Sequence, residues 1–292
     1  MFDGAILINK KKYITSNKVL SLFKNKTGIK KAGIFGILDP LASGALPIIF
    51  GQATKYIPYL LNDKKTYNIE SKLGVFSDCG DYEIEPKVYR DEQKKIKKLT
   101  KDIIKKTLNN FLGNYLQTPP MYSASKYKGK PLYVYARKNI VVKRNEKKRY
   151  LYDIKFNSLD NDILKFNVKC SSGTYIRTLI QDISHQWGIH SCLFNLKRLS
   201  VEPFQKFKSI EIDDIGNLSN QKNIIDISTM LDDLPEIICS DEEVEKLHHG
   251  LIVRKENIKI HQYYKIICGR NIFHGVGFFK DDHLCPKRMM KR

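Results

Sequence analysis

The chain has 292 residues, 42% hydrophobic and 11% aromatic, which excludes a disordered chain and suffices for one large domain or two unequal ones. Its 51 Lys and Arg against 31 Asp and Glu leave a formal charge of +20, the balance of a protein that meets a polyanion, nucleic acid first of all. Six cysteines without C-x-x-C or zinc spacing read as reduced thiols, no run approaches the roughly 18 apolar residues of a membrane span, and no signal-like apolar core opens the chain, so we expect a soluble, cytoplasmic protein with no membrane partner.

Gly4 to Ile8 is an apolar run suited to a buried strand. Thr15 or Ser16 then caps a helix to about Lys26, with Val19, Leu20 and Phe23 on one face and Gly28 at its end. From Lys31 to Lys55 the residues are small or apolar, and Asp39 is the sole acid between Asp3 and Asp63. A carboxylate in such surroundings loses water and has to be paired or useful, although Asp-Pro is also an ordinary turn dipeptide; both readings stand at this point. Gly36, Pro40 and Gly44 place Asp39 on a tight loop before a strand from Leu46 to Phe50. Ala53 to Leu61 reads as a helix shortened by Pro58, and Tyr67, Ile69, Ser71 and Leu73 alternate as a strand.

The segment from Pro86 to Tyr150 holds 19 Lys or Arg against 4 acids, a net +15. Within it Thr100 to Leu112 is an amphipathic helix with Ile103, Ile104, Leu108 and Phe111 inward, followed by lysines interleaved with tyrosines that suit phosphates and bases or serve as a solvated face. Strands near Tyr150 to Phe156 and Leu164 to Cys170 lead to a helix with Ile176, Leu179, Ile180, Ile183 and Trp187 on one side. Glu211 to Leu234 reads as a linker ending at Pro235. Ser240-Asp241-Glu242-Glu243 is a capping box for a helix to His249, and Ile252-Val253, Tyr264 to Cys268, Ile272 to Phe279 and Leu284 to Met289 are short strands suited to a small β barrel. Asp78, Asp81 and the scattered His248, His249, His261, His274 and His283 lack metal-ligand spacing, so we expect no metal and, without a phosphate-cradling glycine motif, no cofactor.

Gly36-Ile37-Leu38-Asp39-Pro40-Leu41-Ala42-Ser43-Gly44 resembles the catalytic loop of the TruB family of RNA pseudouridine synthases, whose aspartate lies in a G-x-L-D-P-x-A-x-G string. Lys65-Thr66-Tyr67, Gln117 to Lys126, Leu132 to Arg137, Cys170-Ser171-Ser172-Gly173-Thr174-Tyr175-Ile176-Arg177 and Leu196-Lys197-Arg198-Leu199 extend the resemblance over nearly the whole chain. It implies an α+β fold, a mixed and largely antiparallel sheet flanked by helices, with a catalytic domain over 1–235 and a PUA-like RNA-binding β barrel over 236–292. It further implies isomerisation of uridine in the TΨC loop of tRNA, position 55, with Asp39 catalytic and Tyr67, Tyr175, Arg177, Leu199 and Lys10 binding substrate. Arg177 would give the aspartate a counter-charge and a fixed aim. The implied partner is the T arm of tRNA, met by a monomer without protein partners. Two departures stand out: the family's Gly-His-x-Gly is Gly33-Ile34-Phe35-Gly36 here, and its Asp-Lys-Pro is Asn9-Lys10-Lys11. Ile34 or Phe35 is then the side chain expected to wedge into RNA in place of the histidine. The alternative class is an RNA-binding or tRNA-folding protein on the same scaffold with weak catalysis.

Overall fold

A computed structural model describes residues 3–60, 64–216, 223–255, 263–269 and 271–291. Strands β1 (Gly4–Lys10), β2 (Ala32–Ile34), β3 (Ser43–Phe50), β4 (Lys65–Leu73), β5 (Gly113–Gln117), β6 (Lys147–Asp160), β7 (Ile163–Cys170) and β8 (Ser191–Val201) form one sheet. Their order is β1-β3-β8-β4-β7-β6-β5, with β2 on β3, and every pairing is antiparallel except β3 with β8. The expected α+β class and largely antiparallel sheet are what the chain adopts.

Local chemistry explains the elements that frame the site. Helix α1 (Ser16–Thr27) starts where the Thr15 hydroxyl accepts from the Lys18 amide and stops at Gly28, whose φ of 71° a side chain would resist. Strand β4 alternates buried and half-buried residues from end to end, whereas β3 is buried on both faces from Gly44 onward and is therefore an unbroken apolar run. Helices α1, α2 (Lys101–Asn109) and α3 (Ile176–His185) cover one face, packing Val19, Phe23, Ile104, Leu108, Leu179 and Ile183 on Ile69 and Phe166.

A second core lies across β1 and β3 and joins Tyr56, Tyr59 and Phe204 to Val276 of a second sheet. That sheet contains β9 (Glu236–Cys239), β10 (Val253–Arg254), β11 (Tyr264–Cys268), β12 (Ile272–Lys280) and β13 (His283–Met289) in the order β9-β11-β12-β13-β10, with helix α4 (Asp241–His248) packed against it. Edge contacts from Tyr56 to Phe273 and from Tyr59 to Tyr263 link the sheets.

Four expectations change. Ala53 to Tyr59 is two 3-10 turns, Gly51–Lys55 and Ile57–Tyr59, because Pro58 removes a donor; Leu61 lies outside the described residues. In α2 Thr107 takes the inward place assigned to Ile103, which is exposed, and receives the Trp187 indole N–H at 2.9 Å. Part of the segment read as a linker lies against β1 instead: Ile225 exchanges both backbone hydrogen bonds with Ala5, and Ile210, just before the segment, bonds Leu7 and Asn9, so an otherwise open sheet edge is covered. Strands β2, β5, β8 and β9 had no counterpart among the expected elements: β2 and β9 have three and four residues, too short to show a period, and two register shifts break the alternation of β8. His261 lies outside the described residues.

Where β3 meets β8, Gly44 has φ 104° and a Cβ there would stand 2.2 Å from the Arg198 carbonyl oxygen. Gly44→Ala is expected to cost about 2 to 4 kcal/mol, combining backbone strain with a forced strand separation. Urea unfolding of the variant checks this, and an unchanged midpoint would contradict it.

Candidate active site

Asp39 sits on the loop between β2 and β3, and that loop is pinned from several sides. Ser16 at the start of α1 gives its hydroxyl proton to the Leu38 carbonyl and accepts from the Leu38 amide, at 2.8 and 3.0 Å. Lys10 at the end of β1 donates through Nζ to the carbonyls of Lys11, Pro40 and Ala42. The Tyr13 amide also donates to Pro40, and the Leu41 amide to Glu83 Oε1. Arg198 on β8 donates Nη2 to the Gly36 carbonyl and Nε to the Ala45 carbonyl, which ties both ends of the loop to one buried guanidinium.

Arg177, in the first turn of α3, grips Asp39 with two parallel bonds, Nε to Oδ2 at 3.0 Å and Nη2 to Oδ1 at 3.2 Å. Two further bonds run from Nη1 to the Cys79 carbonyl and from Nη2 to the Tyr122 carbonyl, and the buried Asp81 carboxylate stands 3.8 Å from Nε. Arg177 is buried while the Asp39 side chain keeps 35% of its exposure. The carboxylate is therefore fixed from one side and open on the other. Bidentate pairing of this kind sets orientation as well as charge.

Asp39 and Arg177 line a cavity of about 410 Å³ together with Tyr67, Tyr122, Tyr133, Tyr175, Lys65, Leu196 and Arg198. Tyr175 is held by Gln117, whose amide accepts from the Tyr175 N–H and donates to its carbonyl, while the phenol meets Ser125 Oγ at 3.0 Å. Tyr67 is buried on β4. Burial pushes its phenol up to about 12, the Arg198 guanidinium offsetting part of the rise. At neutral pH it keeps its proton. Burial also raises the Glu83 carboxyl, with the charges of Asp81 and Asp39 adding to the effect. A second cavity, lined by Ser125, Lys126, Tyr127, Lys143, Arg144 and Lys147 among others, carries four cationic side chains and no acid.

The structure thus gathers Asp39, Tyr67, Tyr175 and Arg177 around one cavity and leaves two expected residues out of its lining. Leu199 is 47% exposed, because alternation along β8 turns Leu196 and Arg198 inward and Leu199 outward. Lys10 has its ammonium spent on loop carbonyls and acts behind the loop. Phe35 packs edge-on against Phe204, and Ile34 pairs with Ile48 in the sheet; the side chain standing out at the cavity mouth is Ile37, 65% exposed. Sequence reasoning passed over Lys65, Arg198, Asp81 and Gln117 as site-forming residues. For Arg198 a signal existed, since a cation two places from Leu196 on an alternating strand shares its face.

Comparison with known proteins follows the same lines. Residues 24–176 match the family model described as "TruB family pseudouridylate synthase (N terminal domain)". The tRNA pseudouridine synthase B of Coxiella burnetii is 35% identical over 298 residues, covering 99% of this chain and 95% of that protein. The protein of the same name from Clostridium kluyveri is 36% identical over 283 residues, 96% of each chain. Among solved structures, one described as "H/ACA RNP bound to a substrate RNA containing 2'-deoxyuridine" superposes with a TM-score of 0.73 at 20% identity, covering 99% of this chain and 85% of that one. An archaeal box H/ACA Nop10-Cbf5 complex gives 0.70 at 21%, covering 98% and 85%. At those identities the likeness is one of fold.

Burial lowers the Lys10 ammonium to about 8, the charges of Asp39 and Glu83 opposing the drop. Below pH 8 the folded and unfolded states both hold the proton and the burial cost is fully present; between about 8 and 10.5 the unfolded chain holds it more often, so Lys10 makes stability rise with pH in that window. Lys10→Met is expected to remove this rise while loosening the Asp39 loop. Urea midpoints of both proteins from pH 7 to pH 10 check it, and parallel curves would contradict it.

Proposed function

We propose, from the premise that the chain belongs to the TruB family of pseudouridylate synthases, that it acts on tRNA at uridine 55 of the TΨC loop with Asp39 as its catalytic carboxylate. The reaction is an isomerisation: the C1′–N1 bond breaks, the uracil turns, and C5 bonds to the same sugar carbon while its proton leaves and N1 takes one up. No group is gained or lost overall.

One observation carries the reading, the side-on grip of Arg177 on Asp39 at the wall of a cavity lined by tyrosines. Each Asp39 oxygen spends one lone pair on Arg177 and keeps capacity for substrate. Attack on C1′, attack on the base and removal of a proton from C2′ are all routes that use such a carboxylate. Tyr67 stacks on the detached base as a neutral phenol, and Tyr175, braced by Gln117 and Ser125, supplies a second wall. Enclosure limits capture of the intermediate by water.

Bringing the target nucleotide out of its stack costs a few kcal/mol, which contacts to the RNA backbone offset. The basic cavity of Lys126, Lys143, Arg144 and Lys147 supports such contacts, since Ser125, on its lining, also touches Tyr175 of the first cavity. In this reading residues 1–235 are the catalytic domain, the sheet within 236–292 is a further RNA-binding surface, and the protein works as a cytoplasmic monomer on the T arm. Ile37, standing at the cavity mouth, takes the place in the RNA loop that the sequence suggested for Phe35 or Ile34.

The test uses tRNA carrying tritium at uracil C5, which is released to water only when C5 loses its hydrogen. Wild-type protein is expected to release the label from position 55, and Asp39→Asn to slow release by roughly 1000-fold or more, with tRNA affinity within about threefold. Sound binding without release by the wild type, or undiminished turnover in Asp39→Asn, would contradict the proposal.

A further inference from the structure

The cavity holds a second guanidinium whose surroundings differ from those of Arg177. Arg177 is bracketed by the carboxylates of Asp39 and Asp81. Arg198 is just as buried, at 1% exposure, but its bonds go to the Gly36 and Ala45 carbonyls and to the Tyr67 hydroxyl, and among the described residues it forms no ion pair with a carboxylate. Its third nitrogen, Nη1, is buried and has no carbonyl or carboxylate partner. Gly36 leaves room beside that nitrogen, for a Cβ there would lie 3.3 Å from it. A buried cation with no acid beside it costs free energy, and it does so on the wall of the cavity where the base must sit.

We propose that Arg198 stabilises the negative charge that collects on the uracil when its bond to the ribose breaks. The inference rests on the pseudouridine synthase reading and adds a function for a residue outside the Asp39–Arg177 pair. When C1′–N1 breaks, its electron pair leaves with the base and spreads over N1, O2 and O4, while C1′ is left electron-poor and is either bonded by Asp39 or relieved by loss of the C2′ proton. If the carboxylate adds to C6 instead, the displaced ring electrons again gather on the exocyclic oxygen. On return, an electron pair at C5 forms the bond to C1′, the C2′ proton is restored on the route that removed it, the C5 proton departs and N1 takes one up. Every route passes through a more negative uracil, and the Arg198 guanidinium is a preplaced positive charge for it. Burial disfavours the charge on Arg198, and the neighbouring Tyr67 hydroxyl offsets only part of that; an anionic base would offset more.

The experiment compares single-turnover conversion of tRNA with uridine at the target position and of the same tRNA with 5-fluorouridine there. Fluorine withdraws electrons and stabilises the departing base by itself. Loss of the target nucleoside is followed by nuclease digestion and chromatography, with tRNA affinity and thermal melting measured in parallel. Arg198→Met is expected to slow uridine conversion about 100-fold and 5-fluorouridine conversion about 10-fold or less, with affinity within about threefold. Arg198→Lys, which keeps the charge, should show the same pattern with smaller losses, and it carries the comparison should the Met variant melt early. Equal losses on both substrates would mean that Arg198 only holds the loop ends, and no loss would likewise overturn the proposal. An inactive wild type would instead count against the activity assigned above.

Discussion

The side-on contact between Arg177 and Asp39 is the constraint to which the rest of the molecule answers. A carboxylate half shielded from water needs a counter-charge, and a guanidinium buried in the first turn of α3 needs carboxylates and carbonyls to accept its donors. The two requirements are met together. Arg177 draws the Asp39 loop, the Cys79–Asp81 turn and the backbone at Tyr122 to one point. Three stretches far apart in sequence are thereby fixed within a few ångströms of one another, and the cavity is the space they leave.

The remaining architecture makes that point rigid. Sheet strands deliver Tyr67, Leu196 and Arg198 from one layer, α1 delivers Ser16, and the end of β1 delivers Lys10 to the back of the loop. Charge is sorted by depth. Lys10 and Arg198 lie behind and beside the loop as buried cations, while Lys126, Lys143 and Lys147 stay exposed around the neighbouring cavity. The first group shapes chemistry and the second suits attraction of a polyanion, whose contribution falls with salt. The chain's +20 charge therefore serves two physically different purposes.

Much of this was legible in the residues because local rules and tertiary needs agree. The caps of α1, the alternation of β4, the capping box Ser240 to Glu243 and the lone acid in an apolar loop each leave a local mark. What was misread depends on distant partners. Pro58 and tight packing of Tyr56 and Tyr59 turned an expected helix into 3-10 turns, and Ile210 and Ile225 became straps on β1 through backbone bonds that carry no side-chain signature. Leu199 was expected at the site from motif position alone, and the strand whose alternation turns it outward was not among the expected elements. Lys10 was given to substrate because a lysine in sequence does not reveal that three carbonyls already claim it.

The account stands on the geometry of one nucleotide in one cavity. A crystal structure of the Asp39→Asn variant bound to tRNA measures it directly. The account predicts the position-55 nucleotide out of its loop, its base between Tyr67 and Tyr175 and its glycosidic bond within van der Waals reach of residue 39. Position 55 still stacked in the T loop, with the cavity empty and the RNA held elsewhere on the protein, would contradict it.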